Sequence, residues 1–246
     1  MHRLLVESGL LNEPSPALPT AALKHLKVLR PKDGEAVELF DGRGATRQYR
    51  FVGNPSESGR PLEATAERVF EDRSGPALTL FACVTKGSRW DWTIEKATEL
   101  GVSRIVPVIS DRTIVRLSHE ERPAKRERWQ RIAEDAARQS DAKYLPEIVA
   151  AVDFDEALEL VKTTTCFVGA LVTPPAAPLA KAVAEAGELR PNGLAVFVGP
   201  EGDFTPEELN ALLQIAVPTS FGSSVLRAET AAIFALSVLQ GIRDAH

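Results

Sequence analysis

Two glycine-bearing segments hold the residues best suited to chemistry. They are Gly199-Pro200-Glu201-Gly202-Asp203-Phe204 and Phe221-Gly222-Ser223-Ser224-Val225-Leu226-Arg227-Ala228-Glu229. Each follows an apolar run of strand length and opens into a helical pattern. In open α/β sheets, ligands settle beyond the carboxyl ends of strands, where backbone N–H groups and helix N-termini converge. The glycines permit positive φ and close backbone approach to a ligand; a tight turn feeding a helix cap at Thr205 would use them equally well. Glu229 near a helix start suits the helix dipole. Arg227 does not, and reads as a ligand or RNA contact. The two loops, one helix apart, predict the binding crevice of an enzyme.

Other chemistries lack their residues. No G-x-G-x-x-G follows a strand that opens a helix, and no G-x-x-x-x-G-K-[ST] occurs; Gly42-Arg43-Gly44 falls in a hairpin turn. Neither H-E-x-x-H nor G-x-S-x-G is present. The four histidines, His2, His25, His119 and His246, show no metal-pair spacing, and Cys83 and Cys166 alone make no zinc site. No metal is expected, and a histidine-based hydrolase is a distant reading.

The elements that must position the loops fall into two rhythms. Residues 35–40 alternate and end at the turn signal Asp41-Gly42, so 46–52 completes a hairpin. Residues 63–70 predict another strand, 21–29 a short helix, and 12–19 a proline-rich loop. The polar stretch Glu71-Asp72-Arg73-Ser74-Gly75-Pro76 reads as a linker between domains at 1–73 and 77–246. After it, strands at 77–85, 104–109, 147–152, 165–171, 194–198 and 217–221 alternate with helices. The helices fall at 90–100, 120–140, 155–161, 179–186, after Thr205, and at 229–243. Gly101 stops the first of these, and Thr205-Pro206-Glu207-Glu208 is a capping box with proline at N1. Such alternation predicts a parallel sheet with helices on both faces.

Composition fits this: 246 residues, 44% hydrophobic and 26% charged, with no apolar stretch of bilayer length. The start, Met1-His2-Arg3-Leu4-Leu5-Val6, lacks a signal-type apolar region, and two thiols in apolar runs suit a reducing cytoplasm. A cytoplasmic protein without a membrane partner is expected. The net charge of −5 is uneven. Residues 1–75 hold 11 basic and 11 acidic side chains, 76–150 hold 13 and 11, and 151–246 hold 5 and 12. Nucleic acid would therefore have to touch the first two segments. The run of arginines and lysines from Arg112 to Arg131 is the densest candidate for such a contact, and reads also as a solvated helix face balanced by Glu120, Glu121 and Glu127, the reading its residues favour slightly.

Together the two loops resemble the signature of the RsmE family of SPOUT methyltransferases, which carries Gly-Pro-Glu-Gly-Gly-Phe and later Leu-Gly-x-x-Ile-Leu-Arg-x-Glu-Thr-Ala. The resemblance extends to Lys86-Gly87-Ser88-Arg89-Trp90-Asp91-Trp92 and to Glu95-Lys96-Ala97-Thr98-Glu99-Leu100-Gly101-Val102. It continues through Pro107, Ser110, Arg112 and Gln139-Ser140, and includes His25, Val28-Leu29-Arg30 and 34–42 near the N-terminus. Asp203 stands at the family's second glycine, Phe221 at its leucine, Ser223-Ser224 at a Pro-Arg pair, and Asp141-Ala142-Lys143 follows where Gly-Arg is common.

The resemblance implies an α/β domain whose C-terminal segment is threaded as a trefoil knot, preceded by a small PUA-like β-barrel that binds RNA. It implies S-adenosyl-L-methionine bound at Leu171, Thr173, Gly199, Pro200, Glu201, Gly202, Phe221, Gly222, Ser224 and Leu226. The reaction implied is methylation of N3 of uridine 1498 of 16S ribosomal RNA in the small subunit, by a homodimer. Arg227 would grip the base or stabilise its anionic form, while Glu201 would accept a proton or merely shape its loop. Arg3, Arg30, Lys86 and Arg112 are the expected RNA contacts. Two other readings are a SPOUT enzyme that methylates ribose 2′-oxygens and a non-catalytic RNA-binding assembly factor.

Overall fold

The computed structural model describes residues 1–53 and 60–244. The chain divides into two compact units. One comprises Met1–Arg73 and Glu134–Leu145; the other comprises Ser74–Ala133 and Pro146–His246.

The first unit is built on a five-stranded sheet. Its strands are β1 (His2–Leu5), β2 (Ala36–Phe40), β3 (Ala45–Phe51), β4 (Leu62–Ala64) and β5 (Val69–Phe70). β1 lies parallel to β2, and the other pairings are antiparallel. Helix α1 (Thr20–Leu29) joins Leu4, Leu11, Leu39, Tyr49 and Leu62 in the core through Leu26. At the expected hairpin, the Asp41 carboxylate accepts hydrogen bonds from the backbone N–H groups of Arg43 and Ala45.

Two expectations need correction here. The strand at 63–70 is two short strands, because Thr65 N–H bonds to Gln48 O and Arg47 Nε bonds to Ala66 O, holding the polar middle as a bend. Glu134–Leu145 lies inside the second domain expected at 77–246, yet it belongs to the first unit. Its approach depends on glycine. A Cβ at Gly44, where φ is +103°, would lie 2.5 Å from Tyr144 Oη and from Glu71 O.

Arg3 is the third correction. The expected RNA contact is a buried structural residue, its side chain only 3% exposed. It donates to Glu38 Oε1 at 2.7 Å, Ala137 O at 2.8 Å and Ala142 O at 3.2 Å, and its guanidinium lies 4.2 Å from the Phe40 ring centre. A guanidinium so engaged has no face for phosphate.

The second unit is a seven-stranded parallel sheet. Its strands are β6 (Leu78–Cys83), β7 (Arg104–Ile109), β8 (Glu147–Ile148), β9 (Val152–Asp153), β10 (Thr165–Gly169), β11 (Leu194–Val198) and β12 (Val217–Thr219). The order is β12-β10-β11-β6-β7-β8, with β9 also on β7. Helices α2 (Ser88–Glu99), α3 (Arg122–Gln139), α4 (Phe154–Val161), α5 (Leu179–Glu185), α6 (Pro206–Leu213) and α7 (Ala228–Asp244) alternate with the strands, α3 running on into the first unit from Glu134. Phe81, Val106, Val168 and Phe197 pack one sheet face against α4 and α6. On the other face α7 lies on β6 and β11, with α2 beside it.

The strand expected at 147–152 is divided into β8 and β9. The side of β7 that offers Ile105 O to Val149 N–H also presents Pro107, which has no N–H to donate, so the ladder lapses opposite it.

Cys83 and Cys166 are buried free thiols. Burial pushes Cys83 up to about 12 and raises Cys166 as well. Both are therefore expected to resist Ellman's reagent at pH 8 in the native protein and to react together in denaturant. Rapid labelling of the folded chain would contradict this burial.

Among the described residues, no helix is long and apolar enough to cross a membrane.

Candidate functional site

The loops that follow β10, β11 and β12 enclose a cavity of about 360 Å³. Gly169 at the end of β10 contributes with Ala170 and Leu171 of the loop that follows; the loop after β11 contributes Gly199, Pro200, Glu201 and Asp203. The loop after β12 contributes Ser220, Phe221, Gly222, Ser224, Val225, Leu226 and Arg227. Val198, Thr219 and, at the start of α7, Ala228 and Ala231 complete the wall.

Most of the expected binding residues meet here: Leu171, Gly199, Pro200, Glu201, Phe221, Gly222, Ser224 and Leu226, with Arg227 beside them. Thr173 and Gly202 do not line the cavity. The chain has moved away by the exposed Thr173, and Gly202 turns its backbone to Arg112, whose Nη1 donates to Gly202 O at 3.0 Å. Sequence reasoning missed Gly169. A Cβ there would stand 2.3 Å from the Phe221 ring, so glycine is what lets the third loop close over the first. A glycine ending an apolar strand was the available signal.

Local bonding holds the middle loop in shape. Asp203 sits at φ +59°, a left-handed conformation that aspartate tolerates better than most side chains. Its carboxylate accepts from Phe204 N–H at 2.8 Å, and its own N–H bonds to Pro200 O at 3.0 Å. This conformation explains both the glycine usual at this position and the aspartate found here. The capping box at Thr205 forms as expected, and the buried Glu208 extends it. Glu208 Oε2 accepts from Thr205 N–H, while Oε1 accepts from Asp111 N–H at 2.8 Å. Removing that carboxylate leaves both donors unpaired. Glu208→Ala is expected to cost about 1–3 kcal/mol, read as a lower Tm, with Glu208→Gln restoring only part. An unchanged Tm would contradict the bracing role.

Arg112 also donates to Phe204 O at 3.1 Å. The expected RNA contact is thus a strut of the loop, although it remains exposed. Lys86 is exposed just after β6, and Arg30 is exposed at the end of α1 with φ +49°. Glu201 Oε1 lies 3.6 Å from Arg89 Nη1. Arg227 lines the cavity, is exposed and makes no ion pair among the described residues.

A family model described as an RNA methyltransferase domain matches residues 73–240. The ribosomal RNA small subunit methyltransferase E of Synechocystis sp. is 30% identical over 245 residues, which cover 99% of this chain and 78% of that protein. The chain belongs to the RsmE family. Its namesake from Bacillus subtilis is 29% identical over 220 residues, covering 87% of this chain and 84% of that protein. The RsmE structure from Neisseria gonorrhoeae, bound to S-adenosyl methionine, superposes with a TM-score of 0.81 at 28% identity, over 98% of each chain. A methyltransferase from Legionella pneumophila in complex with the same cofactor gives 0.79 at 27% identity, over 98% of this chain and 96% of that one. At the family's Pro-Arg pair this RsmE member has Ser223 and Ser224, both exposed.

Proposed function

We propose that this chain methylates N3 of a uridine, uridine 1498, in 16S ribosomal RNA of the small subunit, using S-adenosyl-L-methionine. The observation that carries the reading is the strand-end cavity, where Arg227 and Glu201 stand among glycine-rich backbone. Its volume of about 360 Å³ is that of a small-molecule site, for which roughly 300–1,000 Å³ is usual. The wall suits the cofactor's chemistry. Val198, Leu226 and Ala231 offer an apolar surface for the adenine, the glycine loops offer backbone groups, and Asp203 complements a positive sulfonium. When bound, the cofactor supplies an electrophilic methyl group.

This chain's residues do the rest. The imide N3 is a poor nucleophile while it holds its proton. Glu201 would accept that proton and so free the N3 lone pair for the methyl group, which would part from the cofactor's sulfur as a neutral thioether is left behind. Arg227 stabilises the negative charge that develops on the flanking carbonyl oxygens. The loops fix the reacting atoms in line, and the base leaves its stack to reach them.

The convergence of three loops after β10, β11 and β12 supports a C-terminal trefoil knot. The five-stranded sheet of the first unit supports a PUA-like RNA-binding barrel. Homodimerisation through α7 is supported by Phe234, which is 40% exposed on that apolar helix. A ribosomal substrate supports a cytoplasmic location, and the exposure of Lys86, Arg30 and Arg112 supports them as RNA contacts.

The test is to incubate small subunits lacking the modification with labelled cofactor and to locate the product by nucleoside mass spectrometry. A single 3-methyluridine is expected. Label on a ribose 2′-oxygen would favour the other SPOUT chemistry, and failure to bind the cofactor in calorimetry would favour an assembly factor.

A further inference from the structure

Arg89 stands in the first turn of α2, entered through Gly87 at φ +68°. That position is unfavourable for a cation, because the helix dipole presents its positive end there. Asp91 in the same turn does not compensate it, being paired with Arg128. What Arg89 faces instead are two carboxylates, one from the loop after β11 and one from the first turn of α7. Its Nη1 is 3.6 Å from Glu201 Oε1, and its Nε is 3.8 Å from Glu229 Oε1. Glu201 lines the cavity, and Glu229 lies in the first turn of α7, two residues beyond Arg227.

Both separations exceed hydrogen-bonding distance, so the guanidinium acts on the carboxylates through its charge. The Glu229 side chain is only 12% exposed, and its Oε2 has no hydrogen-bond partner. A carboxylate held that way depends on nearby positive charge. Arg89 is also half exposed, so it is not a core residue. Its position is explained by the loop after β11 and the start of α7, which it bridges.

We propose that Arg89 is the positioning residue for Glu201, with Glu229 as the second anchor that keeps the guanidinium in place. Without Arg89, the Glu201 carboxylate has no ion pair among the described residues and is free to swing from the cavity wall. With it, one oxygen is held toward α2 and the other is presented to the proton on N3. This rests on the reading of Glu201 as proton acceptor.

The test is a double-mutant cycle in the subunit methylation assay, with Arg89→Ala, Glu201→Gln and the pair. Misplacing a reacting group by about 1 Å costs on the order of 100-fold in rate. Each single variant should lose roughly that much kcat, with KM for the cofactor within about twofold. The pair should be no slower than Glu201→Gln by more than about twofold, because Arg89 acts through Glu201. Arg89→Lys, which retains the charge, should recover part of the loss. Since Arg89→Ala leaves Glu229 unpaired, Arg89→Ala/Glu229→Gln serves as the variant that keeps the fold, checked by Tm. Losses that multiply in the pair would overturn the proposal, as would full turnover of Arg89→Ala or a fall in rate explained by loss of folded protein. Full turnover of Glu201→Gln would overturn both this proposal and the proton-acceptor role. A wild-type protein that does not methylate the subunit would instead fell the functional reading itself.

Discussion

Arg227→Ala is expected to lower methyl transfer by about 100- to 1,000-fold while the protein stays folded and its oligomeric state is unchanged. The scale is that of removing one donor aimed at developing negative charge. Folding should survive because the side chain is exposed and lines a cavity instead of filling the core. The backbone of Arg227 does belong to the architecture, its carbonyl accepting from Ala231 N–H at 2.8 Å at the start of α7, and alanine preserves that bond. Arg227→Lys separates charge from geometry, since an ammonium keeps the charge and loses the planar fork. Partial recovery would show that charge alone does most of the work. Wild-type turnover of Arg227→Ala on purified subunits would remove this residue from the mechanism.

Arg3→Ala is expected to destabilise the protein by about 3–5 kcal/mol, a Tm loss on the order of 10 °C, with little direct effect on the salt dependence of RNA binding. Truncation leaves the Glu38 carboxylate, itself only 15% exposed, without its 2.7 Å partner. It also strips donors from Ala137 O and Ala142 O, so the edge of the Glu134–Leu145 segment loses its attachment within the first unit. Arg3→Lys should rescue poorly, because an ammonium cannot reach three acceptors in different directions. A phosphate contact behaves in the opposite way. Its removal would leave Tm alone and reduce the salt slope of RNA binding by about 1. Denaturation and salt titrations of the one variant therefore distinguish the two roles.

Local rules carried far in this chain. The capping box at Thr205, the stop at Gly101 and the hairpin at Asp41 are short-range hydrogen-bonding devices, so a few residues suffice to announce them. Alternating strand and helix patterns likewise indicated the parallel sheet, because buried parallel strands must be apolar on both faces. Arg227 drew notice for a local reason too, as a cation at a helix start with nothing nearby to justify it. Long-range packing was another matter. The roles of Arg3 and Arg112 depend on carbonyls 134 and 90 residues away, and a charged side chain looks the same in sequence whether it is solvated or buried.

The sequence by itself determined the alternation of strands and helices after residue 76, the two loops that carry Glu201 and Arg227, and the family to which they point. Only the tertiary structure decided which glycines matter to the cavity, that Gly169 makes room for Phe221, and that Gly202 faces away. Nor did local pattern assign Glu134–Leu145 to the first unit, divide one strand at Pro107 or bring Arg89 between Glu201 and Glu229. The physical reason is common to all of these. Propensity and capping act over one helical turn or one strand. Close packing and charge pairing join atoms that are neighbours only after the chain has folded.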